Sequence, residues 1–194
     1  RGLIAFNPAG RIPAGATITN VMLSLNMSRS NVGDTTVRLH RVTADWGEGT
    51  SNAVLMGGGS GAPATTNDAT WLHRFFSSSL WTTAGGTFAA TPSASATVGG
   101  VGRYTWGSTA GLVSDVQQWL NTPAANFGWN LIGDEAVGST AKRYDTKENA
   151  IVANRPQLTV TYTGPTAVDD SHAPASFALH QNYPNPFNPS TKIR

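Results

Sequence analysis

Asp45 and Glu48 flank Trp46 in the segment Asp45-Trp46-Gly47-Glu48-Gly49. Two nearby carboxylates can divide the acid and base roles of glycoside hydrolysis. These two sit in one glycine-bounded turn with no further partner signalled, so the pattern favours a structural turn whose Trp46 plugs the interior. Glu148 and Arg155 read as an internal ion pair securing the last strand. The four histidines, His40, His73, His172 and His180, have no short metal-ligand spacing. Asp134, Glu135 and Asp145, with backbone oxygens, are the set that could converge on a structural calcium, although an EF-hand spacing is lacking. The sequence carries no GxSxG, P-loop or Rossmann glycine pattern. A chain that is not an enzyme and needs no cofactor is the expectation.

Six tryptophans raise a different chemistry. Carbohydrate-binding surfaces set aromatic faces against sugar rings and add hydrogen bonds. Trp71, Trp81 and Trp106, in or beside loops and accompanied by Arg74 and Arg103, are the residues suited to it. With Lys142 and Arg143, those arginines would supply cations for an acidic polysaccharide. Large aromatics also dominate β cores, so most of the six are expected inside and one or two at the surface.

The surroundings narrow the class. Charged residues make up 12% of the 194, about half the ~25% usual for a soluble domain. Thr, Ser, Asn, Ala and Gly fill the gap, a polar but weakly charged surface suited to work outside a cell. The net charge of +2 is spread along the chain, which argues against a nucleic-acid partner. No cysteine is present, so disulfides, thiolate metal sites and cysteine nucleophiles are excluded together. No apolar run approaches the ~18 residues of a membrane span.

The elements that must position these residues are mostly short strands. Val21, Leu23, Leu25 and Met27 alternate with Met22, Ser24, Asn26 and Ser28, a half-buried strand of period two. Val37, Leu39 and Arg41 continue the theme. Further strands are predicted over 70–76, 87–90, 95–98, 103–106, 128–132, 141–145 and 157–163. Strands separated by Gly/Ser/Asn turns indicate an all-β, jelly-roll-like β-sandwich. Residues 108–121 instead space Leu112, Val113, Val116, Trp119 and Leu120 along one helical face, with Ser108 as cap and Pro123 beyond the end. Gly57 to Asn67 reads as a loop. The predicted organisation is a sandwich over 1–163, a linker over 164–176 and an extended tail over 177–194.

Tyr183-Pro184-Asn185-Pro186-Phe187-Asn188-Pro189 resembles the opening of the C-terminal sorting domain of the type IX secretion system. That resemblance implies export across the outer membrane to the cell surface or the exterior. A sorting domain normally continues as a small β-sandwich, whereas this one stops after its first strand. Residues 1–163 resemble the DNRLRE-type domains, some of which are alginate-binding carbohydrate modules. The likeness rests on 1–6 with 12–18, on 41–50, on Asp115-Val116-Gln117-Gln118-Trp119-Leu120, and on 144–149 leading to 155–162. In that family a further strand lies upstream of the position of Arg1, so a missing upstream strand is expected.

A sandwich short of one strand exposes an apolar groove and unpaired edges. The tail offers an extended segment, Ser176 to Tyr183, with Phe177, Leu179 and Gln181 on one face. Donation of such a segment to a neighbour would join copies into a filament. Leu3, Phe6, Phe177, Leu179, Gln181, Tyr183 and Phe187 are the predicted subunit contacts. An arginine at each end fits trimming by an arginine-specific protease. The alternative expectation is a module that binds an acidic polysaccharide such as alginate.

Overall fold

A computed structural model describes residues 1–31, 33–51 and 61–164. The chain runs through β1 (Gly2–Ile4), the long β2 (Thr17–Ser30), β3 (Thr35–Arg41), a small hairpin of β4 (His73–Phe75) and β5 (Ser79–Leu80), then β6 (Ala94–Val98) and β7 (Gly102–Trp106). Helix α1 (Ala110–Asn121), β8 (Trp129–Ile132), β9 (Lys142–Tyr144) and β10 (Gln157–Thr163) follow. Antiparallel pairing gives one sheet in the order β1-β8-β3-β6 and a second in the order β10-β2-β7, with β9 also on β2. The architecture is β-sandwich-like, with a single α-helix among the described residues.

The period-two row of β2 does what its pattern requires. Val21, Leu23, Leu25 and Met27 are fully buried and pack in one core with Val37 and Leu39 of β3, Trp106 of β7 and Leu131 of β8. Trp106 also ties the sheets together, its Nε1 donating to the Val37 carbonyl at 2.9 Å. Helix α1 lays Leu112, Val116, Trp119 and Leu120 on this core. Burying a side chain of this size contributes roughly 1.5–3 kcal/mol.

Several expected elements differ. The helix starts one residue later than predicted, and its cap is Thr109, whose side chain accepts the Leu112 N–H. Ser108 Oγ is occupied elsewhere, accepting from Val21 N at 3.2 Å. The strand expected over 70–76 shortens to β4, because Thr70 closes a turn onto His73 instead. Residues 87–90 form no strand, only a bridge between Val42 and Phe88. The long tail segment and the first part of the 57–67 loop lie outside the described residues.

The two margins of the sandwich are unlike. Strands β6 and β7 touch directly at one. At the other, β1 pairs only with β8 among the described residues. Leu23 and Ser24 pair with both β7 and β10, and Met27 with both β7 and β9. Strands β9 and β10 therefore follow one another along a single flank of β2, and their outer edges face the same margin as β1.

Candidate functional site: a cleft along the free edge of β1

At that margin lies a cleft of about 1060 Å3. One wall is β1 with Ala5 and Phe6, and the opposite wall is residues 140–148. Its floor reaches Leu25, Val37 and Leu131 of the core, and Trp71, Trp81 and Gly85 close it from the other face of the β1 sheet. The opening follows from the strand pattern. Gly2, Leu3 and Ile4 spend one set of backbone groups on Leu131, Asn130 and Trp129, and their other edge borders the cleft. Gly128 fixes this corner. It adopts φ +73, and a Cβ there would collide with the Ile4 carbonyl, so the turn beneath β1 requires glycine.

The charges around the cleft are engaged by one another or by polar neighbours. Arg1 donates from Nε and NH2 to Glu135 at 2.6 Å each and from NH1 to the Gly85 carbonyl at 3.0 Å. Its guanidinium also lies 4.8 Å from the Trp71 ring centroid. The Arg1 hydrogen bond holds the Glu135 carboxyl below its ordinary value. Lys147 pairs with Glu48 and, at 3.2 Å, with Glu148. Lys142 donates to Ser30 Oγ and the Gly33 carbonyl, and Arg143 to Ser28 Oγ. Asp145 Oδ2 accepts from Asn26 Nδ2 at 2.7 Å, while its own N–H donates to the Asn26 carbonyl.

Two buried polar atoms of the lining stand out against this pairing. Asn130 Oδ1 has no hydrogen-bond partner among the described residues although Asn130 is 1% exposed, its Nδ2 being held by the Gly85 carbonyl. The Tyr144 hydroxyl is likewise buried without one. Burial, with a smaller contribution from Tyr104, pushes its pKa up to about 12. The sequence reading singles out neither residue. Asn130, flanked by Trp129 and Leu131 on an apolar strand, is the signal that was there to find.

The predicted site residues are dispersed. Of the three proposed sugar-stacking tryptophans, Trp71 is 55% exposed whereas Trp81 and Trp106 are buried, so stacking is closed to both. Trp119 and Trp129 are core and Trp46 is half-buried. Trp46 does not plug the core: it lines the cleft, and its Nε1 donates to the Phe127 carbonyl. Arg74 stacks on Phe75 and reaches the Asp45 carbonyl at 3.4 Å. Arg103 donates to the carbonyls of Ala153 and Arg155 and to Gln157. The Glu148–Arg155 pair is not formed, because Glu148 pairs with Lys147 while Arg155 Nε donates to the Asn149 carbonyl.

The calcium set is not assembled either. Asp134 caps its own turn through the Ala136 and Val137 N–H groups, Glu135 holds Arg1, and Asp145 holds Asn26. Among the described residues no three His, Cys, Asp or Glu side chains group as metal ligands. No described helix is long and apolar enough to cross a membrane. Leu3 and Phe6 are half-buried at the cleft, and Phe177, Leu179, Gln181, Tyr183 and Phe187 lie outside the described residues. No family model, curated protein or solved structure matches the chain.

Proposed function

We propose that this chain is a non-catalytic structural subunit of an extracellular polymer, a jelly-roll-like sandwich joined to other copies by an extended tail or strand passed from one to the next. The carrying observation is the cleft: an opening of about 1060 Å3 bordered by the outer edge of β1, to which no described strand is paired, suits an added strand better than a small solute. The type IX-like tail supports export to the cell surface, and the weakly charged composition agrees with that setting. Glu48 and Asp45 carry no acid–base chemistry in this reading. Glu48 is tied to Lys147, and Asp45 accepts its neighbour's N–H. Electron microscopy of the 194-residue chain should show filaments, and removal of residues 165–194 should abolish them. Filaments unchanged by that deletion would show that the tail is not the connector.

The carbohydrate reading keeps one supporting observation, the exposed face of Trp71. Against an acidic glycan, each of Arg74, Arg103, Lys142 and Arg143 is already engaged by carbonyl, hydroxyl or ring partners. Arrays of alginate, pectin and chitin should stay silent with this protein. Binding that weakens with salt and is lost in Trp71→Ala would instead establish the carbohydrate function.

A further inference from the structure

Resting on that reading, we infer that the cleft accepts Ser176–Tyr183 of a neighbouring copy as an added strand beside β1. Phe177, Leu179 and Tyr183 would face the core floor, and Ala178, His180 and Asn182 the Asn130 side.

Three observations choose this occupant. The first is shape. A strand hydrogen-bonded to the outer edge of β1 would point alternate side chains to opposite faces, and the cleft is lined on both: Leu25, Val37 and Leu131 toward the core, Trp71, Trp81 and Asn130 on the other. The second is charge. The acids and bases of the rim are paired among themselves or held by polar neighbours, so a charged occupant would leave a charge unmatched. Ser176 to Tyr183 contains no Asp, Glu, Lys or Arg. The third is length. Pro174 and Pro184 bracket the segment, and because proline cannot donate to a ladder, the pairing stretch ends at both.

The composition of the linker, rather than its reach, favours a donor in another molecule. The described chain leaves β10 at Thr163, opposite Thr17, where α1 covers the sandwich through Gln117 and Ile18. The cleft lies at the level of Leu25, roughly 27 Å further along β2 at ~3.4 Å per residue. Gly164 to Ala175 spans at most ~40 Å at about 3.3 Å per residue. It carries Pro165, Pro174 and the adjacent acids Asp169 and Asp170, a composition that favours extension over a tight return. A tail passed from one copy to the cleft of the next makes a heterologous, head-to-tail contact.

The absence of cysteine makes the test clean. In the full 194-residue chain, Leu3→Cys is combined in turn with Cys at Phe177, Ala178, Leu179 and His180, and each variant is oxidised after assembly. Leu3 faces the Asn130 side, so cross-links should form with Ala178 or His180 and not with Phe177 or Leu179. They should run between molecules, giving a covalent ladder on a denaturing gel. An intramolecular product, without a ladder, would overturn the neighbour as donor. Filaments without any such cross-link would overturn the cleft as the docking site while leaving the polymer reading intact; neither filaments nor cross-links would sink both. Hydrogen exchange on the unsubstituted chain is the second measurement, independent of any variant's folding. Those amides of Gly2 to Ile4 that point away from β8 should gain at least tenfold protection on assembly, and unchanged exchange in assembled material would also overturn the docking site.

Discussion

Asp115 is the most consequential polar residue of the interior. It is buried, with Arg41 Nε at 3.1 Å and with Ser93 Oγ and Trp129 Nε1 donating to it at 2.5 and 2.7 Å. It thereby joins α1 to β3 and β8. Removing one partner of such a group leaves the others unpaired, so Asp115→Ala should lower stability by about 3–5 kcal/mol, read as a fall in the urea midpoint. Asp68 works in the opposite electrostatic sense. Its carboxylate is held by the Ser51 hydroxyl and by the N–H groups of Thr65, Ser51 and Thr50, which keep its pKa well below the ordinary value. It ties Thr50 and Ser51 to Thr65. Gly49 lies against it at φ +67, where a Cβ would run into the carboxylate. A lowered folded pKa means that the stabilisation is complete above the unfolded value of about 3.9 and is lost as pH falls from there toward the folded one. Asp68→Asn should therefore be less stable than the parent at pH 6, with the gap narrowing at pH 3 in matched urea titrations. Burial raises the Asp115 pKa instead, so its ionisation cost appears as pH rises and cannot mimic this acid loss.

Elements were legible where one periodicity dominated and illegible where a polar contact decided. The row Val21, Leu23, Leu25, Met27 and the helical face of Leu112, Val116, Trp119 and Leu120 could be read directly, since each alternation matches one side of a buried layer. The helix start could not. Ser108 and Thr109 are both suitable caps, and the choice falls to Thr109 because the Val21 N–H, 87 residues away, claims Ser108. Thr109 Oγ1 serves twice, accepting from Leu112 and donating to the Ser93 carbonyl at 2.5 Å. Thr109→Ala should cost about 1 kcal/mol and loosen the first-turn amides of α1 in hydrogen exchange. Ser108→Ala should leave those amides as protected as before; equal loosening in both variants would mean that Thr109 is not the cap. The site was harder still to read. Asp115 shares the apolar face of α1, a visible anomaly, but the ion pairs at the cleft depend on contacts such as Arg1 with Glu135, which no local pattern encodes. The tryptophans show the same limit: Trp71 and Trp81 both sit among loop residues, and only packing separates the exposed ring from the buried one.

At the scale of the whole molecule, the proposed polymer has a thermodynamic signature that a free monomer lacks. A neighbour's segment that occupies the cleft binds the folded subunit and not the unfolded chain, so it stabilises by mass action. Phe177 and Leu179 leaving water would each contribute roughly 1.5–3 kcal/mol before the ordering of the segment is subtracted. Under saturating conditions, a hundredfold rise in protein concentration adds about 2.7 kcal/mol to the folded state. For a chain of this length that corresponds to an increase in Tm of roughly 5–10 °C. Calorimetric scans of the 194-residue chain across that range should show the rise. The same chain with Leu179→Asp should show little of it, because a carboxylate facing Leu25, Val37 and Leu131 would be buried without a partner. A purely monomeric sandwich, or one joined other than through Leu179, would give the two chains the same concentration dependence. That single comparison separates a subunit completed by its neighbour from a domain that is complete alone.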